Sequence, residues 1–320
     1  ISSLILMSDY SKYIWYNSNI MPWEEANTHV MSHVLHYGSG VFEGIKCYDT
    51  EQGPSIFRLD DHINRLFQSA TLYRMKINTS KEEIINGCKE IVKINDLSSC
   101  YIRPIIFYGY DTLGVNPKGC PLNIAIASFY WGAYLGDEGV EKGVNTTISP
   151  YQKISHKSMP TIAKASGQYM NSLLSVTEAK SRGYDEAILL NVEGNIAEGS
   201  GQNLFYVKDG VVHTNDKDSS ILLGITRDSI LTICKDFDIK TKVHSYSLDN
   251  LLTADEVFFT GTASEVTPIR SIDDNLISGG NPGPITLQLK NYYMDIVMGK
   301  NQNYNDWLSM LNYDISLKNS

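Results

Sequence analysis

Pro160-Thr161-Ile162-Ala163-Lys164-Ala165-Ser166-Gly167-Gln168-Tyr169, continued to Ala197-Glu198-Gly199-Ser200-Gly201-Gln202-Asn203, is the stretch around which this chain reads. Lys164 stands among small apolar residues just ahead of a helical pattern. An amine in such surroundings loses hydration, which favours its neutral form, and a neutral amine suits Schiff-base chemistry with an aldehyde cofactor. The competing reading is an ordinary surface lysine at a helix start. At the far end of the stretch, the turn Glu193-Gly194-Asn195 and a short return strand place Glu198 where a strand stops at Gly199.

Working upstream, Tyr13 to Met21 predicts a hairpin turned at Asn17-Ser18-Asn19. His29, His33 and His36 follow at i, i+4 and i+7, a spacing that raises a metal reading. Gly38 and Gly40 end any helix at once, so packed, hydrogen-bonded histidines at a turn are the preferred reading. Val41 to Tyr48 reads as a strand, with glycines flanking Phe42 where backbone is closely approached. Asp60 and Asp61 then open a helix whose apolar spacing is Ile63, Leu66, Phe67 and Ala70. Arg58, His62 and Arg65 fall along one side of it as potential phosphate donors, or as a solvated basic face. Ser80 and Glu83 predict a capping box on a second helix. In the strand from Tyr101 to Tyr108, the period of two puts Tyr101 and Arg103 on one face. Leu122 to Tyr130 is a further strand.

Residues 132–142, rich in glycine and acid, read as a linker. The expected organisation is therefore a small α+β domain over 1–131, the linker, and a larger domain over 143–320. In the latter, Asn203–Val207 and Val211–Thr214 predict a hairpin turned at Asp209-Gly210. Leu223-Gly224-Ile225-Thr226 runs into a helical pattern, and the strand Glu256–Phe259 breaks at Thr260-Gly261-Thr262-Ala263. Both steps offer backbone N–H groups and a hydroxyl, which is what an anion requires. Neither is a P-loop, and no dinucleotide-binding glycine fingerprint is present.

The 320 residues carry a formal net charge of −9 and no Lys/Arg stripe, which argues against nucleic acid. No apolar run approaches the roughly 20 residues that span a bilayer. Ile1 to Met7 is too short, and lacks the basic flank, for a signal peptide; the residues ahead of Met7 read as a leader remnant or an ordered arm. The five cysteines are scattered without a C-x-x-C pair, as free thiols in a reducing compartment are. A cytoplasmic protein without membrane or nucleic-acid partners is expected.

Seven motifs in order, H-Y-G-S-G-V-F-E-G-I, the Arg58/His62/Arg65 helix, Y-I-R-P, P-T-I-A-K-A-S-G-Q-Y, A-E-G-S-G-Q-N, L-G-I-T-R and T-G-T-A-S-E-V-T-P-I, span nearly the whole chain. Together they resemble the fold type IV, pyridoxal-phosphate-dependent aminotransferases, and most of all the branched-chain amino acid aminotransferases. The resemblance implies an α+β two-domain fold, a small α/β domain and a larger one with a mixed, barrel-like sheet and helices. It implies pyridoxal 5'-phosphate, no metal, and reversible amino transfer from L-leucine, L-isoleucine or L-valine to 2-oxoglutarate. A homodimer or higher homo-oligomer with shared active sites is also implied.

Residue by residue, the resemblance makes Lys164 the cofactor lysine and proton carrier. Glu198 faces the pyridine nitrogen and Tyr169 the 3-oxygen, while Arg65, Ile225, Thr226, Gly261 and Thr262 hold the phosphate. Phe42, Gly44, Trp131 and Tyr134 shape the side-chain pocket, with Tyr37 contributed across a dimer interface. Tyr101 and the N–H groups of Thr262 and Ala263 take the α-carboxylate, and Arg103 the second carboxylate of glutamate. Two departures stand out: Ser166-Gly167-Gln168 where many relatives have Gly-Gly-Asn, and Gln202 where Glu is usual. A D-amino acid aminotransferase, an R-selective amine transaminase or an aminodeoxychorismate lyase of the same fold is the nearest alternative; Tyr101-x-Arg103, Trp131 with Tyr134, and the Gly-Thr-Ala turn favour the branched-chain enzyme. A metal-binding module on the three histidines is the alternative of a different class.

Overall fold

Residues 11–132, 135 and 137–311 are described by the computed structural model. They divide into two units, one running up to Trp131 and resuming at Asp295, the other covering Gly132–Met294. Tyr134 and the residues ahead of Ser11 lie outside the described set.

The first unit is an eight-stranded antiparallel sheet with helices against it. Strands β1 (Tyr13–Tyr16) and β2 (Asn19–Pro22) form the expected hairpin, with Asn17 and Ser18 at φ 45° and 67° supplying the left-handed turn. Helix α1 (His33–Tyr37) stops at Gly38, which sits at φ 63°. The run from Val41 to Tyr48, expected as one strand, is two: β3 (Gly40–Phe42) and β4 (Ile45–Thr50), followed by β5 (Gly53–Phe57). The break falls at Glu43-Gly44, although the register against the later strand Cys100–Tyr108 runs on across it (Phe42 opposite Ile105, Ile45 opposite Ile102); the Glu43 N–H donates to the Pro104 carbonyl at 2.8 Å, and Pro104 has no N–H to return.

Helices α2 (Leu59–Leu72) and α3 (Lys81–Ile94) bury Ile63, Leu66 and Ala70, and Ile84, Cys88 and Ile91. The Ser80 hydroxyl caps α3 by accepting from the Glu83 N–H at 3.1 Å. The Glu83 carboxylate takes the Ser18 hydroxyl of the β1–β2 turn, so the expected box becomes a tie between hairpin and helix. Strands β6 (Cys100–Tyr108) and β7 (Leu122–Phe129) complete the centre of the sheet, β6 pairing with β3, β4 and β7.

Against the expectation that 143–320 forms one domain, the chain comes back to this unit. Leu308–Met310 pairs antiparallel with β5, Leu308 opposite Phe57 and Met310 opposite Ser55. A short strand there covers what would otherwise be an open sheet edge.

In the second unit, helix α4 (Asp137–Lys142) occupies part of the expected linker. The remaining elements are β8 (Val144–Ile148), α5 (Tyr169–Ser181), β9 (Glu186–Leu190), β10 (Ile196–Gly199), β11 (Asn203–Lys208), β12 (Val211–Thr214), α6 (Ile225–Asp236), β13 (Thr241–Val243), α7 (Leu248–Leu252), β14 (Glu256–Gly261), β15 (Glu265–Ile272) and α8 (Pro284–Val297). They build a mixed sheet in the order β10-β9-β8-β15-β14-β11-β12-β13, with Asn275–Leu276 paired to β15. The β8–β9, β8–β15 and β12–β13 pairs are parallel. Because parallel neighbours need a crossover, α5 lies between β8 and β9 in the chain. Leu204, Tyr206, Val257, Phe259 and Ile269 lead the core on this sheet. Buried Glu256 caps α8 from a distance, its carboxylate accepting the N–H groups of Ile285 (3.0 Å) and Thr286 (2.7 Å). Among the described residues no helix is long and apolar enough to cross a membrane.

Candidate active site

In the second unit, Lys164 lies between buried Ala163 and Ala165, ahead of the short turn Ser166–Gln168 that leads into α5. Its Nζ donates to the Tyr169 phenol oxygen at 2.6 Å, five residues on. Gln168 Nε2 donates to the Pro160 carbonyl at 3.1 Å and so ties the two ends of the lysine loop together.

Glu198, at the end of β10, is buried and held by three donors. Lys153 Nζ meets Oε1 at 2.8 Å, while Asn203 Nδ2 (3.0 Å) and the Leu222 N–H (3.1 Å) donate to Oε2. Asn203 also donates to the Leu222 carbonyl at 2.7 Å and accepts the Gly224 N–H at 3.1 Å. One asparagine thus joins the carboxylate to the loop that starts α6.

That helix begins at buried Ile225 and Thr226, and Gly224 brings no capping side chain. A Cβ on Gly224 would fall 2.1 Å from Asn203 Oδ1, so only glycine fits. The second Gly-Thr step is a three-residue hairpin loop, Thr262-Ala263-Ser264, closed by the pairing of Gly261 with Glu265. The hydroxyls of Thr260 and Ser264, on either side of Thr262, are buried without a hydrogen-bond partner among the described residues. Buried polar groups of this kind call for a polar ligand. An amine beside a phenol, a carboxylate, an uncapped helix start and hydroxyl-bearing turns together suit a phosphorylated pyridine aldehyde.

The neighbouring Gln202 donates to Glu186 Oε2 at 3.0 Å. Burial pushes the Glu186 carboxyl up, against hydrogen bonds from Ala187, Ser200 and Gln202. A glutamate at 202 would put a second carboxylate against it, and Gln202 removes that conflict.

In the first unit, Arg103 lies in an aromatic setting. Its guanidinium carbon is 4.8 Å from the Phe42 ring centre, 5.2 Å from Tyr101 and 6.0 Å from Trp131, and Tyr101 meets Trp131 edge-on at 4.5 Å. The buried Arg103 Nε has no hydrogen-bond partner among the described residues. Gly44 closes the group: a Cβ there would lie 1.7 Å from the Tyr101 hydroxyl. Phe42, Gly44, Tyr101, Arg103 and Trp131 therefore gather. Tyr37 stands apart, 43% exposed, its phenol donating to the Leu113 carbonyl at 2.8 Å.

The three basic residues of α2 do not act along one side. Arg58, at φ 49° before the helix, pairs with Asp61 at 2.6 Å and stacks on Trp307. Arg65 grips the buried Glu43 with Nε (2.7 Å) and Nη2 (2.9 Å), and His62 Nδ1 joins at 2.7 Å. Burial alone would raise the Glu43 carboxyl; Arg65 and then His62 outweigh it and hold the group well below the usual carboxylate range. The histidines of the N-terminal turn each have their own partner. His29 accepts from the Met31 N–H, His33 Nε2 donates to the Gly114 carbonyl, and His36 Nε2 to that of Val30. No group of three or more metal-ligating side chains occurs among the described residues.

Lys153, Asn203 and Glu43 escaped sequence reasoning. Glu43 left a trace, an acid inside an otherwise apolar strand; Lys153 left none, because nothing local pairs it with Glu198.

Comparison with known proteins fits this geometry. Residues 40–272 match the model of the family described as amino-transferase class IV. The branched-chain-amino-acid aminotransferase of Escherichia coli strain K12 is 44% identical over 94% of this chain and 97% of its own length. That of Pseudomonas aeruginosa is 43% identical over 95% and 99%. The crystal structure of the E. coli branched-chain amino acid aminotransferase superposes with a TM-score of 0.93, covering 94% of this chain and all of that one (100%). The T.th. branched-chain amino acid aminotransferase complexed with N-(5'-phosphopyridoxyl)-L-glutamate gives 0.90 at 44% identity, covering 94% and 99%.

Proposed function

The chain belongs to the class IV aminotransferases, and from that premise we infer that it is a branched-chain-amino-acid aminotransferase. It moves the amino group of L-leucine, L-isoleucine or L-valine reversibly to 2-oxoglutarate in two half-reactions, with pyridoxal 5'-phosphate as cofactor. The observation that carries the reaction class is the Lys164 amine on the Tyr169 phenol at 2.6 Å, in the same unit as the buried carboxylate of Glu198.

When bound, the cofactor supplies an electron sink for the negative charge left at the amino acid's α-carbon. Our proposal gives Lys164 the task of taking and returning the α-proton, with Tyr169 orienting its amine and then the cofactor's 3-oxygen. Glu198 holds a proton at the ring nitrogen. The α6 start at Ile225 and Thr226, the Gly261-Thr262 turn and Arg65 hold the phosphate. For Arg65 this is a second duty, since two of its nitrogens serve Glu43.

Tyr101 and the N–H groups of Thr262 and Ala263 take the α-carboxylate, and Phe42, Gly44, Trp131 and Tyr134 border the side chain. Arg103 receives the second carboxylate of glutamate. The rings around it support this reading, because they hold the cation against aromatic faces without neutralising it. Arg103→Ala is expected to raise KM for glutamate and 2-oxoglutarate by about tenfold or more, with leucine changed far less. Equal losses for both would remove the assignment. Gly44→Ala pushes the Tyr101 hydroxyl aside and is expected to lower kcat/KM for leucine by about 10²-fold, checked by steady-state kinetics beside a melting curve. Incubation with L-leucine or with D-alanine plus 2-oxoglutarate tests the function itself. Glutamate formed from D-alanine and not from L-leucine would turn the reading toward a D-amino acid enzyme.

We also propose a homodimer in which Tyr37 serves the partner's site. Apolar surface supports it: Met170, Leu173 and Leu174 are exposed on α5, as are Leu113 and Val115 near Tyr37. Sedimentation showing only monomer at micromolar concentration would refute it. The five free thiols are in keeping with a cytoplasmic enzyme.

A further inference from the structure

We propose that Lys153 is a positioning residue for the cofactor's ring nitrogen, acting through Glu198. The proposal rests on the reading of Glu198 given above. Lys153 belongs to the segment between β8 and Lys164, where its own N–H donates to the Leu190 carbonyl at 2.7 Å. Its side chain is 9% exposed and that of Glu198 6%. A buried ion pair contributes little to stability on balance, because desolvating both charges offsets most of their attraction. Its placement at this carboxylate therefore calls for a role in the site.

An ionised carboxylate has about four acceptor directions. Three are taken: the Lys153 ammonium on Oε1, and Asn203 Nδ2 and the Leu222 N–H on Oε2. The three donors come from separate segments, so they fix the plane of the carboxylate and leave one direction for a further N–H. The two donors on Oε2 are neutral. Lys153 alone brings charge, and it holds the carboxylate aimed before any cofactor arrives. Without the ammonium the carboxylate loses its one charge-assisted hydrogen bond, and its aim at the ring nitrogen is no longer fixed.

The test compares affinities of the cofactor-free full chain for pyridoxal 5'-phosphate and for its 1-deaza analogue, in which a C–H replaces the ring nitrogen. Both present the same aldehyde to Lys164 and the same phosphate. The parent protein is expected to prefer the natural cofactor. In Lys153→Met that preference falls by about tenfold, with affinity for the deaza analogue nearly unchanged, and Lys153→Arg restores it. Lys153→Gln, which keeps a donor and loses the charge, should fall as Met does, and it serves if the Met variant does not fold. An equal loss for both ligands, an unchanged preference or an increased one overturns the proposal. A parent that binds both ligands equally would instead remove the role of Glu198 at the ring nitrogen, and Lys153's with it.

Discussion

Lys164→Ala is expected to lower kcat for leucine by at least about 10³-fold, the scale set by losing a positioned acid–base group together with covalent attachment of the cofactor. Rapid mixing of the loaded protein with leucine separates chemistry from binding. The slow step in the variant should be loss of the α-proton, seen as a large α-deuterium isotope effect. Borohydride reduction of the parent followed by peptide mapping should fix a pyridoxyl group on Lys164; labelling at another lysine would reassign the site. Small primary amines added to Lys164→Ala should recover part of the rate, since they restore the proton carrier without the tether.

Glu43→Ala is expected to destabilise the first unit by about 3–5 kcal/mol, the usual result of stripping one partner from a buried ion pair. Arg65 is left with two nitrogens that lose their carboxylate, and His62 loses its own contact. The loss should appear as a lower denaturation midpoint with an unchanged slope.

Its pH dependence has a definite sign. The folded-state carboxyl of Glu43 lies below its ordinary value, so the stabilisation is fully present above the unfolded value of about 4.3. It erodes as pH falls from there toward the folded-state value. The stability gap between the parent and Glu43→Gln should therefore be constant from neutral pH to about pH 5 and narrow below about pH 4. A gap that widened in acid would show that Glu43 is not the ionised partner of Arg65. Because Glu43 precedes Gly44, whose missing side chain leaves room for the Tyr101 hydroxyl, Glu43→Ala should also weaken leucine binding. Glu43→Gln, which keeps the shape, should weaken it less.

Much of this was legible in the chain because it is local. The β1–β2 and β11–β12 turns announce themselves through residues that tolerate left-handed backbone, Asn17-Ser18 and Asp209-Gly210. The faces of α2 and α3 follow from apolar spacing, and Tyr101 and Arg103 share an environment because a strand alternates sides every residue. Lys164 and Tyr169 are five residues apart across one turn, so their contact lies within reach of sequence reasoning.

Where the sequence fell short, the competing force was tertiary. Arg65 reads as a phosphate donor on a helix face, and nothing local shows that two of its nitrogens also bind a carboxylate 22 positions away. Arg58 turns to Trp307, far along the chain. The stretch from Asp295 reads as the end of the second domain, yet Leu308–Met310 completes the first unit's sheet, since an edge strand accepts any segment with matching backbone.

By itself, then, the sequence determined the reaction class and proposed Lys164 and Glu198 as its lysine and carboxylate, because both sit in motifs whose spacing is short and whose residue types are chemically specific. Only the tertiary structure decided what surrounds them. Lys153 reaches Glu198 across 45 residues, Asn203 joins it to the helix start at Ile225, and Glu43 binds Arg65 and His62. The physical reason is that ion pairs and buried hydrogen bonds depend on distance in space and on the exclusion of water, and neither has a signature along the chain.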